Sequence, residues 1–329
     1  NRIDLLELFL HNQAEIPLEF RDEVVKFAAA LPHAKMVELL LANGPISDLV
    51  REEAICSAAQ NGNPSCVEML LTSGEISMKT RGVAVSLSAE TGCWEIVQIL
   101  LAGNAQIPDY DRGIALISAT KNGHRITLQT LLNYGPIPSE DRSALVCLGA
   151  EYNHLGVVET YLANNEDILP RDRGEALAYA VKNRNLPLVK KLMQRGEIPD
   201  DFLGYSLGLS AIHGDMGIVH ALLQRKIQVQ YRGYAVQVAL QYSRTQIVKL
   251  LIKGDGIEPN YRGYAVKYVV KEGDGDLLRL LLQSGPILVQ DRDEAHLSAL
   301  SNQGSEMANE LWNNAQVIIP DELINSWLN

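Results

Sequence analysis

The sequence predicts an all-α protein, a curved solenoid of about ten stacked helix-turn-helix repeats. Three observations predict it. Arg21, Arg51, Arg81, Arg112, Arg142, Arg173, Arg232, Arg262 and Arg292 recur at intervals of 30 or 31 residues, with one double interval of 59 that hides a degenerate copy at Leu203. Behind each anchor the same order returns: small residues, a glycine or polar break, then a fatter apolar run. Both runs follow helical rather than strand spacing.

Residues 3–10, IDLLELFL, read as a helix B with no helix A before it, so 1–20 is assigned to a truncated first repeat. Residues 21–319 then hold the repeats, with anchors near 21, 51, 81, 112, 142, 173, 203, 232, 262 and 292. In the specimen 81–111, Ala84, Val85, Ser88 and Ala89 form a narrow stripe on helix A. Ile96, Val97, Leu100 and Leu101 form a broad one on helix B. Thr91-Gly92 separates them, as glycine does at a helix end. The residue after the break (Asn63, His124, His154, Asn185, Asp215, Asp274) begins helix B, and Asn or Asp there suits an N-cap. Each loop carries an apolar plug, as in Gly44-Pro45-Ile46, Gly135-Pro136-Ile137 and Gly285-Pro286-Ile287. Residues 320–329, with Trp327 and Leu328, read as a C-terminal capping helix over the last exposed stripe. With no Pro/Gly/Ser-rich linker in the interior, the array reads as one continuous domain.

Ala58-Ala59-Gln60-Asn61-Gly62-Asn63 with Val67 and Leu70-Leu71 resembles the second half of an ankyrin repeat. So do Gly123-His124 before Leu131-Leu132, and Ile218-Val219 with Leu222-Leu223. The resemblance covers nearly the whole chain but departs from the family in length, since the unit is about 30 residues rather than 33. The Thr-Pro-Leu-His opening is absent, and Arg-Gly-x-Ala-Val/Leu stands in its place, as at Arg112–Leu116 and Arg262–Val266. The missing residues fall where the family builds its β-hairpin finger, so plain loops are expected. The resemblance implies a protein-binding scaffold, and the shortened form resembles repeats of host-associated intracellular bacteria, which implies a cytoplasmic effector delivered into a host cell.

A net charge of −11 disfavours a generic nucleic-acid binder. No stretch approaches the roughly 18 consecutive apolar residues of a membrane span. Cys56, Cys66, Cys93 and Cys147 lack CxxC or zinc-like spacing and read as reduced structural residues in a cytoplasmic protein; no metal or cofactor is expected. Cys147 beside His124 or His154 could suggest a thiol nucleophile, yet all three occupy regular repeat positions. Gly254-Asp255-Gly256 and Gly273-Asp274-Gly275 lack P-loop or EF-hand spacing. The chain is therefore not expected to be an enzyme, and it is expected to act as a monomer.

Nine arginines at one repeat position stack into a row with about 10 Å between neighbours, close to the Debye length of about 8 Å. Arg81, Arg112, Arg142, Arg173, Arg232, Arg262 and Arg292 read as a structural ladder, each tying its loop to a neighbouring carboxylate or carbonyl. Asp111, Asp141, Asp172 and Asp291 precede their arginines and are the expected counterions. The sharper reading of the row is a phosphate-binding comb.

The pattern changes between Arg225 and Lys271, where nine cations stand against Asp255 and Glu258 and six of the twelve tyrosines collect. Tyr231 and Tyr261 replace the acid before the anchor. Tyr205, Tyr234 and Tyr264 lie two residues past it in three successive repeats, with Tyr242 and Tyr268 nearby. Tyr and Arg are enriched at interface hot spots, and a cation stacks on a tyrosine ring. Tyr205, Tyr231, Tyr234, Tyr242, Tyr261, Tyr264, Tyr268, Lys267 and Lys271 are the candidate contact residues for another protein with an acidic or phosphate-bearing surface. The alternative is a substrate-recognition arm of a larger enzyme whose catalytic domain lies outside this chain.

Overall fold

The computed structural model describes residues 16–31, 33–135, 137–163, 168–194, 196–253, 256–302 and 304–320. The expected helix B at 3–10 and the expected cap at 321–329 lie outside the described residues. The chain divides into two compact units, Asn1–Leu169 and Pro170–Asn329.

Among the described residues the first unit holds five helical hairpins. Their A helices are α1 (Leu18–Ala29), α3 (Asp48–Gln60), α5 (Met78–Thr91), α7 (Asp109–Lys121) and α9 (Ser139–Glu151). Their B helices are α2 (Ala34–Ala42), α4 (Pro64–Thr72), α6 (Trp94–Leu100), α8 (Arg125–Asn133) and α10 (Leu155–Leu162). The second unit repeats the scheme with A helices α11 (Pro170–Lys182), α13 (Asp200–His213), α15 (Val229–Gln241), α17 (Pro259–Glu272) and α19 (Val289–Ser301). Its B helices are α12 (Leu186–Met193), α14 (Met216–Leu222), α16 (Thr245–Ile252), α18 (Gly275–Gln283) and α20 (Ser305–Asn314). Within each unit A packs on A and B on B in chain order, which makes the fold an all-α solenoid of stacked repeats. Every A helix begins three residues before its anchor, so the 1–20 boundary falls inside α1, which starts at Leu18.

The two apolar stripes do different work. Ala54, Ala58, Ala84, Ser88, Ala89 and Ala115 are fully buried on the A helices, where small side chains let neighbours approach closely. Leu40, Leu70, Leu100, Leu131, Leu192, Leu251 and Leu281 are fully buried on the B helices, each contributing roughly 1.5–3 kcal/mol by leaving water. The loop plugs Ile46, Ile107, Ile137, Ile227, Ile257 and Ile287 close the layer between them. Among the described residues the only strands are Ile287–Leu288 and Val317–Ile318, which pair in parallel as two successive loops translated by one repeat.

The eleventh residue past the anchor is left-handed in each described case but is not always glycine. Gly92, Gly214 and Gly273 end their A helices near φ 80°, while Asn153, Arg184 and Ser243 hold φ of 63°, 56° and 56° at the same position. Of the four Asn or Asp residues that follow, two cap helix B as the sequence suggested. Asn185 and Asp274 accept from the backbone N–H of Leu188 and Leu277. Asn63, His124, His154 and Asp215 instead reach back one repeat. The Asn63 amide donates to the Ala29 and Leu31 carbonyls, and the imidazoles of His124 and His154 bond the carbonyls of Glu90 and Lys121. Asp215 pairs with Arg184 at 2.7 Å. A turn side chain that bridges two repeats adds to the interface that joins each repeat to its neighbour.

Candidate functional site

The arginine ladder is built into the scaffold. Arg21, Arg51, Arg142, Arg173, Arg232 and Arg262 are buried. Each guanidinium whose bonds are resolved folds along its loop. Arg21 donates to the Ile16 and Pro45 carbonyls at 2.8 and 2.7 Å. Arg81 donates to Leu100 at 2.8 Å, Arg142 to Ile137 at 3.2 Å and Arg173 to Leu192 at 3.3 Å. Arg112 donates to the Gly135 carbonyl and lies over the Tyr134 ring. Arg262 donates to Ile257 and Pro286 at 2.8 and 2.5 Å and to the Ser284 hydroxyl at 3.1 Å. Of the two partner types expected, carbonyls take most of these cations, because the anchor sits one turn into helix A beside the loop whose groups lack helix partners, while Arg51 pairs with the Asp48 carboxylate at 2.5 Å. Burial lowers the pKa of Arg142 and Arg262 from the ordinary value. Arg292 differs: it pairs with Asp293 at 2.6 Å and lies 4.9 Å from the Trp312 ring centre.

The loop glycine exists to admit this side chain. A Cβ at Gly44, Gly74, Gly196 or Gly285 would enter the guanidinium of Arg21, Arg51, Arg173 or Arg262. The residue before the anchor makes a second close contact, over the glycine that follows the preceding anchor. Asp111 covers Gly82, Phe202 covers Gly174, Tyr231 covers Gly204, Tyr261 covers Gly233 and Asp291 covers Gly263. Tyr231 and Tyr261 are therefore half-buried, with their rings packed against the preceding repeat.

Of the other candidate tyrosines, Tyr205 lies on α13, Tyr234 on α15, Tyr242 at the C-cap of α15, and Tyr264 and Tyr268 on α17. Tyr205, Tyr234 and Tyr242 are 59, 47 and 52% exposed. Tyr264 and Tyr268 are half-buried on α17 with ring centres 6.4 Å apart, and the Gln241 amide donates to the Tyr264 hydroxyl at 3.3 Å. Tyr268 also lines a cleft of about 250 Å³ with Arg244, Thr245, Glu272 and Asp274.

Several cations of this segment are engaged within the array. Arg232 and Arg262 are buried, Arg225 donates to the Met193 carbonyl at 2.8 Å, and Arg244 donates to Ile212 at 3.3 Å. Lys267 pairs with Asp291 at 2.8 Å and Glu294 at 3.0 Å, and the Asp291 hydrogen bond is the main reason its pKa is raised. Lys271 is exposed on the same helix as Tyr264 and Tyr268. The face is thus aromatic first and cationic second. The pattern of Tyr at one repeat position was visible in the sequence, whereas the internal use of the cations depends on contacts between repeats about 30 residues apart.

No protein-family model matches this chain, and no curated protein matches it. Among solved structures it is similar to a circular tandem repeat protein with novel repeat topology and enhanced subunit contact surfaces. The identity is 14% and the TM-score 0.15, over 94% of this chain and 66% of that one. The chain therefore spans just under two thirds of that protein's length. At that TM-score the likeness carries no argument, and the helical-repeat architecture rests on the helices described above. Among the described residues no helix is long and apolar enough to cross a membrane.

Proposed function

We propose that this chain is a protein-interaction scaffold of shortened ankyrin type, and that α13, α15 and α17 carry its contact zone. The observation behind this reading is the exposure of Tyr205, Tyr234 and Tyr242 on two successive repeats, with Tyr264 half-buried on the next. Tyrosine brings large contact area at small entropic cost, and a pre-formed helical face reduces the ordering lost on binding. Lys271, at the end of the same face, favours a partner segment with an acidic or phosphate group at its edge.

Random peptides displayed on phage and selected against the full chain test the reading. Selected peptides are expected to lose at least about tenfold in affinity, by calorimetry, to Tyr234→Ala with Tyr264→Ala. Unchanged circular dichroism would show that the array survives. Lys271→Ala is expected to weaken a phosphorylated version of a selected peptide more than the unmodified one. Peptides that bind the double variant as well as the parent would refute the assignment.

A further inference from the structure

The net charge of −11 belongs to one of the two units. Residues 1–169 hold 22 Asp and Glu against 11 Lys and Arg, while residues 170–329 hold 18 of each. Part of the acid is used inside the first unit: Asp22 accepts from the Ser47 N–H and hydroxyl, and Glu52 from the Ser77 N–H. Other carboxylates are exposed along the first turns of the A helices, where they alternate with exposed apolar side chains.

Leu18 opens α1, Leu49 is the second residue of α3, Met78 opens α5 and Tyr110 is the second residue of α7. They are 51, 67, 54 and 78% exposed. Because α1, α3, α5 and α7 pack side by side in that order, their first turns line one edge, with about 10 Å between successive positions. Glu19, Asp48, Asp109 and Glu140 are exposed beside the row, with Lys79 as a cation among them. Single exposed apolar residues need no explanation, but four in succession, one at the first or second residue of each A helix and beside mostly acidic side chains, have the character of a contact surface.

We propose that this edge docks a cationic, amphipathic segment of a partner protein, with one apolar side chain per repeat and Lys or Arg between them. A helix laid along the edge returns to the same face every seven residues, about 10.5 Å, close to the spacing of about 10 Å between packed helices. The carboxylates that favour such a segment repel an anionic lipid surface. They also disfavour a second copy of this chain, whose first unit is acidic and whose second carries no net charge.

The probe is a fluorescein-labelled amphipathic peptide of Leu and Lys, about 20 residues long, with Leu at heptad spacing. Its anisotropy is read against the full chain at about 50 and about 300 mM salt. Saturable binding that weakens at the higher salt is expected. Met78→Ser with Tyr110→Ser is expected to cost at least about tenfold, and Glu19→Gln with Asp109→Asn and Glu140→Gln to flatten the salt dependence. A peptide with Glu in place of Lys should not bind. The Tyr234→Ala, Tyr264→Ala chain should bind the probe normally, which keeps this edge separate from the tyrosine face. All variants except the half-buried Tyr264→Ala lie at exposed positions, and circular dichroism checks that each folds. The proposal is overturned if Met78→Ser with Tyr110→Ser leaves binding unchanged. It also falls if the chain sediments with phosphatidylcholine–phosphatidylserine vesicles, or forms a dimer that those substitutions dissolve.

Discussion

Replacing Arg262 with alanine removes three hydrogen bonds that join two loops of neighbouring repeats. Its guanidinium reaches the Ile257 carbonyl before α17, the Pro286 carbonyl after α18 and the Ser284 hydroxyl at the end of α18. A hydrogen bond from a charged donor is worth roughly 1.5–3 kcal/mol net. Against their sum stand the relieved cost of burying the cation and the rehydration of Pro286, which is only half-buried. The expected loss is therefore about 2–4 kcal/mol, within the range for breaking a buried charged network. At about 2–4 °C per kcal/mol for a unit of this size, the melting midpoint should fall by roughly 4–16 °C. Thermal and urea unfolding of the whole chain, followed by far-ultraviolet circular dichroism, reads the effect. Arg262→Lys should recover little, because one ammonium cannot span both carbonyls as the guanidinium fork does. Arg292→Ala, which removes a more exposed contact to Asp293 and Trp312, should cost under about 1 kcal/mol. A midpoint unmoved by Arg262→Ala, or restored by lysine, would show that the ladder is not what holds the loops.

Gly233→Ala places a methyl group inside the ring of Tyr261 and should destabilise by about 1–3 kcal/mol in urea unfolding, while Gly256→Ala, with open space around it, tests only the strain of its φ of 88°. Tyr161→Phe removes a 2.6 Å bond to Thr120 and should cost about 1 kcal/mol in the same assay. Burial raises the pKa of the Tyr161 phenol above its ordinary 10, so its ultraviolet ionisation should lag behind the exposed tyrosines. The proton is held more tightly in the folded state, so this contribution to stability is complete below pH 10 and lost as pH rises through the folded value. Glu52 has the opposite sign: the Ser77 N–H and the Thr80 side chain lower its pKa below 4.5, so its contribution is present above that value and lost as pH falls through the folded one. Glu52→Gln should leave a shallower acid limb in stability measured across that range.

The period of the arginines made the repeat legible, because each copy repeats the same burial problem at the same place. Ala84, Ser88, Leu100 and the plug Ile107 occupy the layers their spacing implied. What the sequence did not disclose lies between repeats. His124 sits where a helix starter is expected, yet its ring serves the carbonyl of Glu90 one repeat earlier. Tyr231 and Tyr261 resemble contact residues by composition, but each faces a glycine whose missing side chain makes room for it. The cations near them looked available because a linear count cannot see Lys267 beside Asp291 and Glu294. Tyr205, Tyr234 and Tyr242 remain exposed, and on them the functional reading rests.

Tyrosine-specific chemical footprinting, read residue by residue by mass spectrometry with and without a selected peptide, tests that reading most directly. Tyr205, Tyr234 and Tyr242 should react readily in the free chain and become protected on binding, while the buried Tyr161 stays inert throughout. Equal reactivity of those three tyrosines in the free and bound chain would contradict the account.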